Sequence, residues 1–181
     1  RASLKLSHII FAPAEAEPKE RRAHRVYLGV LLTLISLGIG LLGLLLTACA
    51  DISLPNLELL KSYFTHPLLL TLNLLPPVLL VWLGYFLSGR CWCGVLVSAL
   101  FGAGLPLVNY YKVMLRGDPM LASDILLFRT AKGIMRHYTF DLTDPVLFTL
   151  AALAAALLFS GFLLRRDGLP ARTRVVGAAV C

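Results

Sequence analysis

The sequence predicts an all-α, polytopic transmembrane helix bundle with four complete spans, the start of a fifth, and an amphipathic interfacial helix in its outer loop. Three observations carry this. Of the 181 residues, 58% are hydrophobic and only 15% are charged, with a mean hydropathy of +0.80, whereas soluble domains run nearer about 45–50% apolar and about 25% charged. Four charge-poor stretches are each long enough to cross a hydrocarbon core, which takes about 20 apolar residues at 1.5 Å apiece. The basic residues between those stretches are unevenly shared between alternate segments. Such a composition excludes a disordered chain, a basic nucleic-acid-binding domain and an ordinary cytosolic enzyme. The net charge of +7 and pI near 9.5 then reflect the excess of Lys and Arg that membrane proteins keep in cytoplasmic loops.

Residues 1–25 read as a cytoplasmic tail. The first span, 26–49, carries no charge, and its basic flank of Lys19, Arg21, Arg22 and Arg25 resembles that of a signal peptide. Its apolar part exceeds the ~7–15 residues of a signal h-region, so it reads as a membrane helix. Leu46-Thr47-Ala48-Cys49 also resembles a bacterial lipoprotein cleavage box, which would place a lipid on Cys49. The second, third and fourth spans cover 67–87, 91–111 and 145–164, and together the spans form a transmembrane domain over 26–164. Each must be helical, because an open strand would leave backbone groups unsatisfied in lipid. Residues 165–181 read as a cytoplasmic loop and the start of a fifth span, Val175-Val176-Gly177-Ala178-Ala179-Val180-Cys181. A chain that begins at Arg1 and stops inside this run is expected to be a fragment of a longer protein.

Orientation follows from the basic residues. With the N-terminus in the cytoplasm of a bacterial cell, eleven Lys and Arg fall inside and six outside, with Arg21-Arg22 and Arg165-Arg166 both inside. That places 51–66 and the loop 112–144 on the outer face. Pro76-Pro77 and Pro106 interrupt the helical ladders of spans two and three and predict kinks. Ser36 with Gly40, and Ala151 with Ala155, are pairs at a four-residue spacing that lets helices approach closely. Cys49, Cys91, Cys93 and Cys181 lie in or beside apolar runs and read as small packing residues. The scattered His8, His24, His66 and His137 form no metal-ligand spacing, and no glycine-rich phosphate loop occurs. No span carries a charge near its centre, which argues against a proton pump or ion-coupled transporter.

The chemically unusual segment is 109–144. Arg116-Gly117-Asp118-Pro119 is a turn signal, and its Arg-Gly-Asp triplet also occurs in adhesion ligands. Lys112 and Arg116 are placed to pair with Asp118 or Asp124, folding the loop onto the helix end. Asn109 is expected to hydrogen-bond across helices, and Tyr110 and Tyr111 to anchor the membrane boundary. Ser123 or Asp124 can cap a following helix, in which Leu121, Ile125, Phe128, Ala131 and Met135 fall at helical spacing. Arg129, Lys132 and Arg136 form one basic stripe on it. An amphipathic helix of that kind lies in a membrane interface, where each cation near an anionic surface contributes about 1 kcal/mol. The stripe thus suits anionic phospholipid head groups.

Asn109-Tyr110-Tyr111-Lys112, Arg116-Gly117-Asp118-Pro119 and Ser123-Asp124-Ile125-Leu126-Leu127 together resemble the lipoteichoic acid synthase family, and more broadly the membrane part of sulfatase-like phosphoglycerol transferases. The resemblance spans the whole chain in layout and about twenty residues in motif. It implies transfer of glycerol phosphate from phosphatidylglycerol to a growing polymer or glycan. By the same resemblance, catalysis belongs to an extracellular domain after the fifth span, with a Thr nucleophile and a divalent metal, manganese or magnesium. No catalytic residue or metal ligand is therefore carried by this chain, and no nucleic acid is implied as a partner. The rival reading is a non-enzymatic small membrane protein, a scaffold or transporter subunit.

Overall fold

The computed structural model describes residues 18–50, 57–121, 124, 141–162 and 177. In chain order it contains α1 (Pro18–Cys49), α2 (Leu57–Thr65), α3 (Pro67–Ser88), α4 (Cys91–Ala99), a π turn (Leu100–Gly104), α5 (Leu105–Arg116) and α6 (Asp144–Phe162), with no strand among the described residues. Helices long and apolar enough to cross a membrane cover His24–Cys49, Pro67–Ser88, Cys91–Arg116 and Asp144–Phe162. They mark a multi-pass membrane protein, and large apolar side chains such as Leu34, Leu68, Phe148 and Phe162 stand exposed on their outer faces. Gly177 is also helical; the rest of the expected fifth span lies outside the described residues.

The largest difference from the sequence-based bounds is in the third span, which runs on to Arg116 instead of ending at residue 111. Lys112 and Arg116 are good helix formers and favour the negative end of the helix dipole, so the helix stops only at Gly117. There the backbone turns left-handed at φ 75°, and the Gly117 N–H donates to the Val113 carbonyl at 2.8 Å, the hydrogen bond of a glycine C-cap. The outer loop accordingly starts five residues later than the expected 112. A second difference is α2, a short helix within 51–66, a segment to which the sequence assigns no element beyond its place on the outer face.

α1 is the central element and packs against every other helix. Its Leu28, Leu32 and Ile39 join Val81 and Tyr85 of α3, Cys91, Val95 and Ala99 of α4 and Ala103 of the π turn in one buried cluster. Between α1, α3 and the third span the contacts are made by Gly and Pro. A Cβ on Gly40 would meet Leu74 at 2.8 Å, and one on Gly102 would meet Pro77 at 3.0 Å and Ile39 at 3.1 Å. α6 joins through Leu153, Ala156 and Leu157. The Ala151 and Ala155 pair expected to mediate helix approach is instead exposed, whereas Ser36 on α1 is fully buried.

The span prolines act differently from one another. α3 continues as one helix through Pro76 and Pro77, and the buried Ser98 hydroxyl of α4 donates to the Pro77 carbonyl at 3.0 Å. Pro106 lacks the N–H that the Gly102 carbonyl would take four residues on. The π turn just before it widens the helix there, as i→i+5 turns do. Cys91 is buried in the main cluster, Cys49 packs at the other end of α1, and Cys93 is half-buried. None of these three is in a disulfide, while Cys181 lies outside the described residues.

Candidate functional site

The end of the bundle that holds the C-termini of α1 and α5 and the N-terminus of α6 has its own small core. Leu46 of α1, Ala50 just past its end, Tyr110 of α5 and Val146 of α6 are buried there, flanked by Cys49, Leu107, Tyr111 and Val113. This cluster fixes the last two turns of α5. From that platform four consecutive side chains, 109–112, reach the chain that follows.

Asn109 accepts, through its side-chain oxygen, a hydrogen bond from the Met120 N–H at 2.7 Å. Lys112 donates to the Pro119 carbonyl at 2.9 Å and to the Asp124 carboxylate at 2.5 Å. Asp124 also accepts from the Leu121 N–H at 2.7 Å. Residues 117–121 and Asp124 are thereby held back over the helix end that precedes them. Lys112 and Asp124 form an ion pair, which matches one of the pairings expected from the sequence. Arg116 and Asp118 remain exposed on the turn that Gly117 makes, so the Arg-Gly-Asp triplet is displayed at its apex.

Two expectations are corrected. Asn109 does not bond across helices: its partner is the backbone of its own loop, eleven residues on, because Gly117 reverses the chain and brings Met120 back beside it. Asp124 is not the first cap of a helix: its side chain reaches back three residues to the Leu121 N–H, while the Asp124 N–H bonds the Leu121 carbonyl at 3.0 Å. That is the return half of a capping box, with Asp124 in the third position. Ser123 and the stripe residues Arg129, Lys132 and Arg136 lie outside the described residues, and with them the expected interfacial helix.

The far end of the loop is held by the two tyrosines, a role that membrane anchoring alone does not express. The Tyr110 hydroxyl and the Thr143 hydroxyl are 2.8 Å apart, and Tyr111 donates to the Asp141 carbonyl at 3.1 Å. Their rings meet edge-on at 5.6 Å. Thr143 in turn accepts, through its carbonyl, the Leu147 N–H that opens α6. Four consecutive residues of α5, 109–112, thus tie down both ends of the segment between the third span and α6. Thr143 and Asp141 were missed in the sequence because only the folded distance between α5 and the start of α6 reveals them.

The Lys112 hydrogen bond, and after it the Leu121 N–H, hold the Asp124 carboxyl below its ordinary range. A carboxyl lowered in the folded state contributes fully above its unfolded value and is lost as pH falls through the folded one. The clasp is therefore expected to be unchanged from neutral pH down to about 4 and to open below that. Amide hydrogen exchange at Met120 and Leu121, corrected for intrinsic rates, measures this directly. Opening near pH 6 would contradict the assignment.

Among the described residues no three His, Cys, Asp or Glu side chains converge as a metal set; Asp124 is taken by Lys112. What the arrangement offers is a rigid, polar turn at the end of a span with one exposed guanidinium. Compared with known proteins, the chain matches no family model, no curated protein and no solved structure.

Proposed function

We propose that this chain is the membrane portion of an enzyme similar to the lipoteichoic acid synthases, which anchors an extracellular catalytic domain and presents an anionic phospholipid such as phosphatidylglycerol to it. The observation that carries the reading is the clasp itself. Asn109, Lys112, Pro119 and Asp124, the residues that bear the resemblance, converge on one folded turn. In this reading the N-terminus is cytoplasmic, the membrane is the bacterial cytoplasmic membrane, and the turn faces outward.

Each residue then has a role that needs no chemistry of its own. Lys112 is neutralised by Asp124 and works as a structural tie. Arg116, exposed beside it, supplies a fixed positive charge at head-group depth. Arg129, Lys132 and Arg136 extend that charge along the loop, and Tyr110 and Tyr111 keep the loop seated on the bundle. The reacting groups and the divalent metal, manganese or magnesium, belong to the outer domain, and no step of the transfer is assigned to this chain. Polar side chains within the spans favour this over a transport pathway: Thr33, Thr47, Thr71, Asn73 and Thr149 each donate to a carbonyl one turn back on their own helix.

The test uses the intact enzyme in phosphatidylglycerol vesicles. Replacing Arg129, Lys132 and Arg136 by Gln removes three cations, each contributing about 1 kcal/mol at an anionic surface. Affinity for the lipid is expected to fall by roughly a hundredfold, with turnover reduced accordingly. Unchanged affinity and turnover would overturn the lipid-presenting role.

A further inference from the structure

One face of α3 is left uncovered in a regular pattern. Leu68, Leu72, Leu75 and Leu79 stand 71%, 56%, 46% and 40% exposed. With Trp82 and Phe86 they follow alternating steps of four and three residues, the spacing that lines up a single stripe for another helix to pack against. Their exposure declines steadily toward Phe86. At that end the stripe is already occupied: Gly177, which is helical, lies so close that an added Cβ would fall 2.6 Å from the Phe86 ring. The Phe86 ring is in turn stacked on Trp82, with centroids 5.6 Å apart, and Trp82 reaches across to Gly29 of α1.

We infer that the Leu68–Phe86 stripe of α3 is the seat of a fifth membrane helix, the one that contains Gly177, running antiparallel to α3. Gly177 is the point of closest entry, where the absence of a side chain lets the helix backbone meet the aromatic ring. Helix association in lipid rests on van der Waals packing and close approach, not on a hydrophobic drive. A glycine against a flat ring at one end and a run of leucines at heptad spacing beyond it supply both. A left-handed crossing near +20° follows from the three–four alternation. A second copy of the chain would need the same face, but would have to displace the helix seated at Phe86. The docking holds whether or not the chain serves a transferase.

The test is photocrosslinking in the full-length protein in membranes. A benzophenone side chain is introduced at Leu75 and, separately, at Leu79, with Leu69 on another face of α3 as the lipid-facing control. The expected result is intramolecular adducts from both positions to a peptide C-terminal to Gly177, and lipid adducts only from Leu69. Lipid adducts at all three positions would overturn the inference. So would adducts between two copies, seen as a band of doubled mass. Using two positions guards against one substitution disturbing the fold.

Discussion

Gly43→Leu is expected to destabilise the protein by about 3 kcal/mol or more and to lower its thermal midpoint in detergent by many degrees. At this position α1 and the π turn touch backbone to backbone. A Cβ on Gly43 would run into the Gly102 carbonyl oxygen and stand 3.1 Å from the Pro106 ring. Neither neighbour is the free end of a flexible side chain. Extra carbon inserted into a packed site costs about 1–3 kcal/mol when side chains can give way, and more when they cannot. The helices would have to separate, and with them the cluster around Ile39 and Ala103. Gly38 provides the control, since a Cβ there meets nothing within 4 Å. Gly38→Leu is expected to leave the midpoint almost unchanged. Equal effects of the two substitutions would show that α1 does not approach the third span as described.

Tyr110→Ala is expected to cost about 3–5 kcal/mol, as for other large aromatics truncated in a core. The ring is only 3% exposed and forms the centre of the cluster that joins α1, α5 and α6. Tyr110→Phe keeps the ring and loses only the hydroxyl contact with Thr143, worth about 0.5–1.5 kcal/mol. The two variants therefore separate packing from tethering. Tyr110→Phe is expected to increase amide exchange around Thr143 and the start of α6 while leaving global stability nearly intact. If Tyr110→Ala were as mild as Tyr110→Phe, the cluster would not be what holds this end of the bundle together.

The spans were legible in the sequence because lipid imposes one rule on every residue in them. Absence of charge over about 20 residues located His24–Cys49, Pro67–Ser88 and Asp144–Phe162 to within a few residues. The same rule failed at Lys112 and Arg116, since charge ends the apolar run without ending the helix; Gly117 does that. α2 was missed for the complementary reason: a nine-residue helix is too short to stand out from a connector. The site was legible in its side-chain pair, Lys112 with Asp124, because opposite charges on either side of a turn have few other partners. Asn109 was misread because its partner is a backbone N–H, which every residue carries and which no residue type announces. The Ala151 and Ala155 spacing was misread because small residues permit close approach without requiring it.

The π turn between Leu100 and Gly104 sets the phase of the third span. An α-helix advances about 100° per residue. Counted at that rate, Tyr110 would point well away from the face that carries Cys91 and Val95. A turn closed over five residues instead of four takes up about one residue of rotation, and returns Tyr110 to that same side. The two halves of the span thus keep a common inner edge although their residue count does not allow it in an unbroken α-helix. A deletion of one residue between Leu100 and Gly104 would let the turn close as ordinary α-helix with the bearing kept, whereas the same five residues wound as α-helix would swing Asn109, Tyr110 and Lys112 together by about 100°. The aim of the loop is therefore set not in the loop but some ten residues earlier, inside the bundle.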